Sequence, residues 1–134
     1  MRFQMSRFAL GVGLMALGAA TVASGAEVGE SAPLFKLKTH EGAEFDLASR
    51  EGKWTVLYFY PKAETPGCTK QACAFRDRLG EIKKLGAEVF GVSSDDVAAQ
   101  AAFHKKHRLN FVLLADPEMK AIEAYGSKLP IVNY

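Results

Sequence analysis

The sequence predicts an α/β fold in which a mostly parallel central sheet is flanked by helices and preceded by a β-hairpin. Three apolar runs of strand length, at 54–60, 87–92 and 111–115, are separated by segments with helical spacing. Strands that alternate with helices are typical of a parallel sheet, because each parallel pairing needs a crossover connection. The 134 residues suffice for one small domain, which we predict at 27–134.

The first 26 residues are predicted to be a secretory signal peptide. Arg2 and Arg7 form a positive start, an apolar run follows at 8–20, and small residues precede a cleavage site after Ala26. The run is short for a membrane span, and an uncleaved membrane anchor stays open as the alternative. We therefore expect export, to the bacterial periplasm, where a disulfide persists, and no stable membrane association after cleavage.

The charge of the chain gives no reason to expect a nucleic-acid partner. The predicted leader contains two of the 17 basic residues and none of the 15 acidic ones, so the mature chain has no net charge. A basic surplus is what attracts nucleic acid or an anionic membrane surface. Neither partner is therefore predicted.

The mature chain is predicted to begin with a β-hairpin. Residues 34–38 and 44–47 form its strands, with a turn at 40–43 between them. The next run, 54–60, is apolar on both faces, as in a central strand that is covered on each side. This run is the first strand of the predicted parallel sheet.

A helix is predicted to follow that strand. Apolar residues recur at helical spacing over 69–85. Pro66 suits an early helical position, and Gly86 suits a stop. The connecting residues 61–68 read Pro-Lys-Ala-Glu-Thr-Pro-Gly-Cys, so Cys68 lies at the N-terminus of the helix.

Two further helices are predicted. The second spans about 96–107, with Asp95 and Asp96 as candidate caps. The third spans 116–125 and follows the strand at 111–115, with Asp116 as its candidate cap. Helices after each strand are expected to cover both faces of the sheet.

The position of Cys68 indicates chemistry rather than packing. The unpaired N–H groups and the positive dipole end of a helix stabilise an anion at its N-terminus. A thiol in this position loses its proton more easily, and the thiolate is the reactive form. Cys73, five residues later, is the other cysteine of the chain.

The string 59–76, which contains Pro-x-x-x-Thr-x-x-Cys at 61–68, resembles the active site of the peroxiredoxins. It is most similar to the peroxiredoxin Q, or bacterioferritin comigratory protein, subfamily, and the resemblance extends from about residue 28 to the C-terminus. It implies a thioredoxin-like fold and a thioredoxin-dependent peroxidase for hydrogen peroxide and organic hydroperoxides. It also implies no cofactor, a thioredoxin-like reductant, and a monomer or weak homodimer.

By this resemblance, Cys68 is the peroxidatic cysteine and Cys73 the resolving one, joined on oxidation by an intrachain disulfide. The Thr65 hydroxyl is expected to bind peroxide and thiolate, with the N–H groups of Gly67 and Cys68 in the same pocket. Pro61 is expected to stiffen the loop.

In a straight helix two residues five positions apart lie roughly 8–9 Å apart, beyond the roughly 7 Å limit of a disulfide. Oxidation is therefore expected to unwind the start of the helix.

The resemblance also implies parts that do not occur before residue 134. The family supplies a late arginine to the pocket and closes its fold with a further hairpin and a last helix. We therefore expect the domain to be incomplete at its C-terminus. Arg76 is not an obvious substitute for that arginine, because it lies about 12 Å along the helix from Cys68.

Other interpretations stay open beside the peroxidase. A thioredoxin-like thiol–disulfide oxidoreductase usually carries Cys-x-x-Cys, which is absent, and a non-enzymatic exported module would keep a structural disulfide or bind copper with a nearby histidine. His104 and His107 have the spacing of a shared metal site, but the lysines between them favour a solvated face, and no metal site is predicted. His40 is expected at the surface, and Trp54 and Phe59 in the core.

Overall fold

The computed structural model of the protein describes residues 25–128. In chain order, the strands are β1 Lys36–Thr39, β2 Glu44–Asp46, β3 Trp54–Phe59, β4 Ala87–Ser93 and β5 Val112–Ala115. The α-helices are α1 Pro66–Lys84, α2 Val97–Lys106 and α3 Lys120–Ala124, and a 3₁₀ turn, Leu47–Arg50, follows β2. The predicted signal peptide, apart from its last two residues, lies outside this range. Within 25–128 no helix is long and apolar enough to cross a bilayer.

The sheet has five strands in the order β2-β1-β5-β4-β3. The β3–β4 and β4–β5 pairs are parallel, whereas β1 pairs antiparallel with both β2 and β5. The β1–β2 pair is the predicted N-terminal hairpin, and the three crossover strands form the predicted parallel part. The prediction of a mostly parallel sheet with an N-terminal hairpin is therefore confirmed.

The apolar pattern of β3 and the family resemblance predicted different positions for this strand. The pattern predicted a central strand, whereas the resemblance implied that β3 pairs with the family's closing hairpin and is an edge without it. In the described part of the chain β3 is the edge strand and pairs only with β4. Trp54 at its start is 77% exposed and Val56 is 36% exposed, so the expectation that Trp54 lies in the core is wrong. The error is physical: apolar side chains report which faces of a strand are covered, not which strands lie beside it.

Two apolar clusters cover the two faces of the sheet. One lies under α1 and α2 and includes buried residues of both, such as Ala72, Leu79 and Phe103. The other lies under α3 and the hairpin, and Phe59 packs against it, partly buried. Helices therefore cover both faces, as predicted.

Helix α1 begins and ends where its sequence indicates. Pro66 occupies the first turn, and Leu85 is the C-cap. Gly86 follows with φ of +76°, a left-handed conformation that glycine adopts without a steric penalty. Leu85, the last member of the apolar pattern, is 80% exposed because the helix has already ended at Lys84.

Helix α3 is shorter than the predicted 116–125. It begins only at Lys120, because Met119 has a left-handed backbone with φ of +58°. Asp116 still acts as an acceptor for the helix start: its carboxylate accepts from the backbone N–H groups of Lys120 and Ile122, each at 2.9 Å. The completely buried Asp116 therefore joins the end of β5 to α3.

Candidate active site

The candidate site lies where β3 gives way to α1. Strand β3 ends at Phe59, and the connecting loop 60–65 leads into Pro66 at the start of the helix. Cys68 lies in the first turn, is 7% exposed, and packs in the apolar cluster with Ala63 and Tyr60. Pro61 is exposed at the beginning of the loop.

The N-terminus of α1 leaves backbone donors unused by the helix in the turn that contains Cys68. Thr65 is the N-cap, and the first bond of the helix runs from the Thr69 N–H to the Thr65 carbonyl at 2.9 Å. Pro66 has no N–H, and the N–H groups of Gly67 and Cys68 precede that first bond, so the helix does not use them. Their orientation along the helix axis favours a negative charge at this point.

The Thr65 hydroxyl is already committed as a donor. It donates to the Lys62 carbonyl at 3.0 Å and makes no capping bond to α1. In this arrangement the Thr65 oxygen keeps lone pairs with which it can accept a hydrogen bond from a peroxide O–H or from a thiol. It does not donate to a thiolate unless the hydroxyl rotates.

Cys73 lies further along the same continuous helix. Both cysteines are free thiols, and Cys73 is half-buried. Helix α1 runs unbroken through both residues. On regular helical geometry their Cα atoms are roughly 8–9 Å apart, so the described state is the reduced one and its geometry is incompatible with a Cys68–Cys73 bond.

Two contacts from elsewhere in the chain anchor the loop in front of Cys68. The Ala63 N–H donates to the Asp95 carboxylate at 2.7 Å. Glu64, whose φ is +66°, accepts from the Lys106 ammonium and faces His107 Nε2 at 3.5 Å. The hydrogen bond from Lys106 is the main reason that the pKa of Glu64 is lowered.

Asp95 does not cap α2, so that part of the prediction is wrong. Asp96 is the cap and accepts from the Ala99 N–H at 2.8 Å. Asp95 turns the other way and accepts from Ala63 and from the Ser93 hydroxyl, both at 2.7 Å. The sequence shows two adjacent candidate caps, and only the fold decides which of them reaches the loop.

The histidines do not form the metal pair that their spacing would allow. His104 stacks on His40 with ring centroids 3.8 Å apart, while His107 faces Glu64. His40 is half-buried and its Nδ1 accepts from the Leu113 N–H at 3.3 Å, so its expected surface position is wrong. Within 25–128 no group of three or more potential metal ligands is present.

Arg76 is occupied by other partners. Its guanidinium donates to the Asp77 carboxylate and to the His107 carbonyl, each at 2.8 Å. The Arg76 carbonyl also accepts from the Asn110 side chain at 3.1 Å. Arg76 therefore fastens α1 to the segment after α2, which agrees with the expectation that it is no substitute for a pocket arginine.

Sequence reasoning missed the residues that position the loop. Ala63 and Asp95 are 32 residues apart, and Glu64 and Lys106 are 42 apart. Gln100, which is completely buried on α2, was also missed, although a glutamine inside an otherwise small and apolar stretch, Val-Ala-Ala-Gln-Ala-Ala-Phe, is an available signal.

Comparison with known proteins gives a consistent result. The model of the AhpC/TSA family matches residues 28–131. A putative peroxiredoxin bcp of Coxiella burnetii is 48% identical over 100 residues, which cover 75% of this chain and 66% of that protein. The chloroplastic peroxiredoxin Q of Triticum aestivum is 53% identical over 98 residues, which cover 73% of this chain and 45% of that protein. The match thus spans about half to two thirds of the length of these relatives.

Solved structures with the same fold belong to similar proteins. The peroxidoxin BcpB of Mycobacterium tuberculosis superposes with a TM-score of 0.72 at 35% identity, over 77% of this chain and 68% of that one. The peroxiredoxin Q of Xanthomonas campestris superposes with a TM-score of 0.67 at 36% identity, over 69% and 58%. The fold is therefore the thioredoxin-like α/β fold of these proteins. The chain belongs to the AhpC/TSA family and, within it, to the peroxiredoxin Q and bcp proteins.

Proposed function

We propose that the protein is a thiol peroxidase in which Cys68 reacts with hydrogen peroxide and organic hydroperoxides. The observation that carries the proposal is the setting of the Cys68 thiol. It lies in the first turn of α1, where Thr65 is the N-cap and the N–H groups of Gly67 and Cys68 precede the first bond of the helix. The AhpC/TSA match and the peroxiredoxin names of the relatives support the same activity.

The first step is attack of the Cys68 thiolate on one oxygen of the peroxide. A bond forms between sulfur and that oxygen, the O–O bond breaks, and the other oxygen leaves as water or an alcohol after it takes up a proton. Sulfur is oxidised to a sulfenic acid, and the peroxide is reduced. The N–H groups of Gly67 and Cys68 are donors that stabilise the negative charge developing on the leaving oxygen, and the Thr65 oxygen orients the peroxide by accepting from its O–H.

The second step is resolution by Cys73. The Cys73 thiolate attacks the Cys68 sulfur, the S–O bond breaks, the leaving oxygen takes up a proton and departs as water, and a disulfide forms. Because α1 is continuous through both cysteines in the reduced state, its first turns must unwind before the two sulfurs meet. A thioredoxin-like dithiol then returns both cysteines to thiols and is itself oxidised. Pro61 limits the freedom of the loop throughout the cycle.

The predicted location and assembly form part of the same proposal. The N-terminal 26 residues have the pattern of a signal peptide, and we propose export to the periplasm as a monomer or weak homodimer. N-terminal sequencing of the protein recovered from cell fractions tests export, and cleavage after Ala26 is the expected result. Sedimentation of the cleaved protein tests the assembly state.

Rapid-mixing kinetics of thiol loss test the proposed activity. The full chain should react with hydrogen peroxide orders of magnitude faster than a free thiol, and Cys68→Ser should abolish the fast phase. Cys73→Ser should keep a single fast turnover, because the sulfenic acid still forms. A full chain that reacts no faster than a small thiol would overturn the proposal and favour the structural-disulfide alternative.

A further inference from the structure

A series of buried hydrogen bonds connects the ends of three strands to the Cys68 loop. The Tyr60 hydroxyl, just past β3, donates to Gln100 Oε1. Gln100 Nε2 donates to the Ser93 hydroxyl at 2.8 Å and to the Leu114 carbonyl at 3.0 Å. Both hydrogens of the amide and its oxygen are therefore used, so the orientation of the amide is fixed.

The series of hydrogen bonds continues from Ser93 to the loop. The Ser93 hydroxyl donates to Asp95 Oδ2 at 2.7 Å, and the same oxygen accepts the Ala63 N–H at 2.7 Å. Gln100 and Ser93 are completely buried, and Tyr60 and Ala63 are nearly so. Burial raises the pKa of Tyr60, so its hydroxyl stays a donor. From Tyr60 through Gln100 and Ser93 each side chain donates to the next, and the Asp95 N–H donates back to the Ser93 hydroxyl at 3.2 Å. The series ends at the Asp95 carboxylate, which also accepts the Ala63 N–H.

These hydrogen bonds bear on Cys68 because they reach Ala63, which lies in the loop just before Cys68. Ala63 packs in the same buried cluster as Cys68, and it precedes Glu64, whose φ is +66°. Thr65, two residues after Ala63, caps α1. Loss of the Asp95 contact would free the loop backbone just before the cap, so the Thr65 oxygen and the N–H groups of α1 would lose their fixed relation to the Cys68 sulfur.

We propose that Gln100 is a positioning residue for the Cys68 loop, acting through Ser93 and Asp95 on the Ala63 N–H. Gln100 makes no contact with peroxide in this role; it holds the loop in the geometry that the reaction needs. The inference rests on the proposed peroxidase function for its effect on rate. The restraint on the loop itself does not depend on that function.

The test compares variants of the full chain by two measurements. Amide exchange of Ala63 reports whether the loop is held. The second measurement is the rate constant of Cys68 with hydrogen peroxide divided by its rate constant with iodoacetamide. This ratio reports how well the site orients peroxide, because alkylation needs the thiolate but not an oriented peroxide. Gln100→Met, which conserves most of the side-chain volume, should speed Ala63 exchange and lower the ratio, each about tenfold, the size of one lost buried hydrogen bond.

Matched controls separate positioning from general destabilisation. Asp95→Ala should reproduce both effects, whereas Asp96→Ala, which removes only the cap of α2, should change neither. Ile122→Ala, on the opposite face of the sheet, should lower stability and leave the ratio unchanged. The double variant of Gln100→Met with Asp95→Ala should lose no more than the larger single change, because both break one network.

Either of two results would overturn the proposal. One is unchanged Ala63 exchange in folded Gln100→Met; the other is a lowered ratio that Ile122→Ala reproduces at equal loss of stability. Should Gln100→Met not fold, Ser93→Ala breaks the same link with a smaller change of volume and is judged by the same criteria. If the full chain does not react rapidly with peroxide, the proposed function is wrong. The amide exchange of Ala63 would then decide alone whether Gln100 restrains the loop.

Discussion

At the scale of single residues, the site divides its polar groups between the fold and the reaction. The Thr65 hydroxyl donates a hydrogen bond to the Lys62 carbonyl, and the Asp95 carboxylate accepts a hydrogen bond from the Ala63 N–H. The N–H groups of Gly67 and Cys68 are the donors that the start of α1 leaves over. Under the proposed function, a peroxide at Cys68 would meet these backbone donors and the Thr65 oxygen as an acceptor.

Replacement of Thr65 tests that acceptor. Thr65→Val keeps the shape but removes the oxygen, and we expect the rate constant of Cys68 with hydrogen peroxide to fall about 100-fold, the usual size for loss of one positioned polar contact. Thr65→Ser should keep most of the rate. The free energy of unfolding should fall by only about 1 kcal/mol in Thr65→Val, since one hydrogen bond to Lys62 is lost. Retention of the full rate in Thr65→Val would remove Thr65 from the site.

Gly67 tests whether the space beside Cys68 is used by substrate. Apart from its two chain neighbours and the nearby backbone of α1, a Cβ at Gly67 would meet no atom within 4 Å, and the same holds for Gly80 in the middle of α1. Both Gly67→Ala and Gly80→Ala should raise the free energy of unfolding by about 0.4–1 kcal/mol. Only Gly67→Ala should slow peroxide reduction, and more for a bulky hydroperoxide than for hydrogen peroxide. Equal rates in the two variants would show that peroxide does not occupy this space.

The sequence predicts the residues of the site that lie close together along the chain. Thr65, Gly67, Cys68 and Cys73 fall within nine positions, and the local pattern correctly predicts the loop and helix on which they lie. Asp95 was predicted as a helix cap, and Gln100 was missed, because their roles depend on which strand ends lie side by side. That information resides in the sheet order and not in any local pattern.

At the scale of elements, α1 is the part that the proposed cycle must change. The helix is continuous through both cysteines in the reduced state. We expect amide exchange over 68–76 to speed up when the full chain is oxidised, because a Cys68–Cys73 bond is too short to span a regular helix. Hydrogen exchange read by peptide mass measures this directly.

The control for that experiment is Cys73→Ser. It receives the same oxidant but has no second sulfur, so its helix should keep its protection. Unchanged protection in the full chain, with the disulfide established by mass, would mean that the segment forms the bond without unwinding.

The stacked histidines predict a pH dependence between the hairpin turn and α2. Burial first, and then the neighbouring His40, lowers the pKa of His104 below its ordinary value of 6.5. The unfolded chain therefore binds a proton at His104 more readily than the folded chain does. As a result, the contribution of His104 lowers the free energy of unfolding as the pH drops below 6.5 and does not lower it above that pH. Urea unfolding at pH 7.5 and 5.5 checks this. His104→Gln should flatten the difference, and an undiminished difference would assign it to other groups.

The strands show where element prediction succeeds and where it stops. All five strands occur within a few residues of their predicted positions, because each is an apolar or alternating run bounded by turn residues. The place of β3 at the edge of the described sheet was expected from the family resemblance and not from the apolar pattern of the strand. Pattern along one strand gives the covered faces, while neighbours depend on pairing with distant segments.

At the scale of the whole molecule, the sheet gathers the site at one end. The Cys68 loop follows β3, Asp95 follows β4, and the Leu114 carbonyl of β5 accepts from Gln100. Parallel strands bring their carboxyl ends to the same edge, which is where α/β proteins place their functional groups. The Cys68 thiol, which we propose to be the reactive one, is thus buried near the point where these strand ends meet.

The central claim is that Cys68 is the thiol that peroxide oxidises and that Cys73 only resolves it. Labelling with a sulfenic-acid probe, after one equivalent of hydrogen peroxide and with the labelled peptides identified by mass, tests this on two variants of the full chain. We predict strong labelling of Cys68 in Cys73→Ser and almost none of Cys73 in Cys68→Ser, because only Cys68 lies at the N-terminus of α1, which favours its thiolate. Equal labelling of the two cysteines would contradict the account.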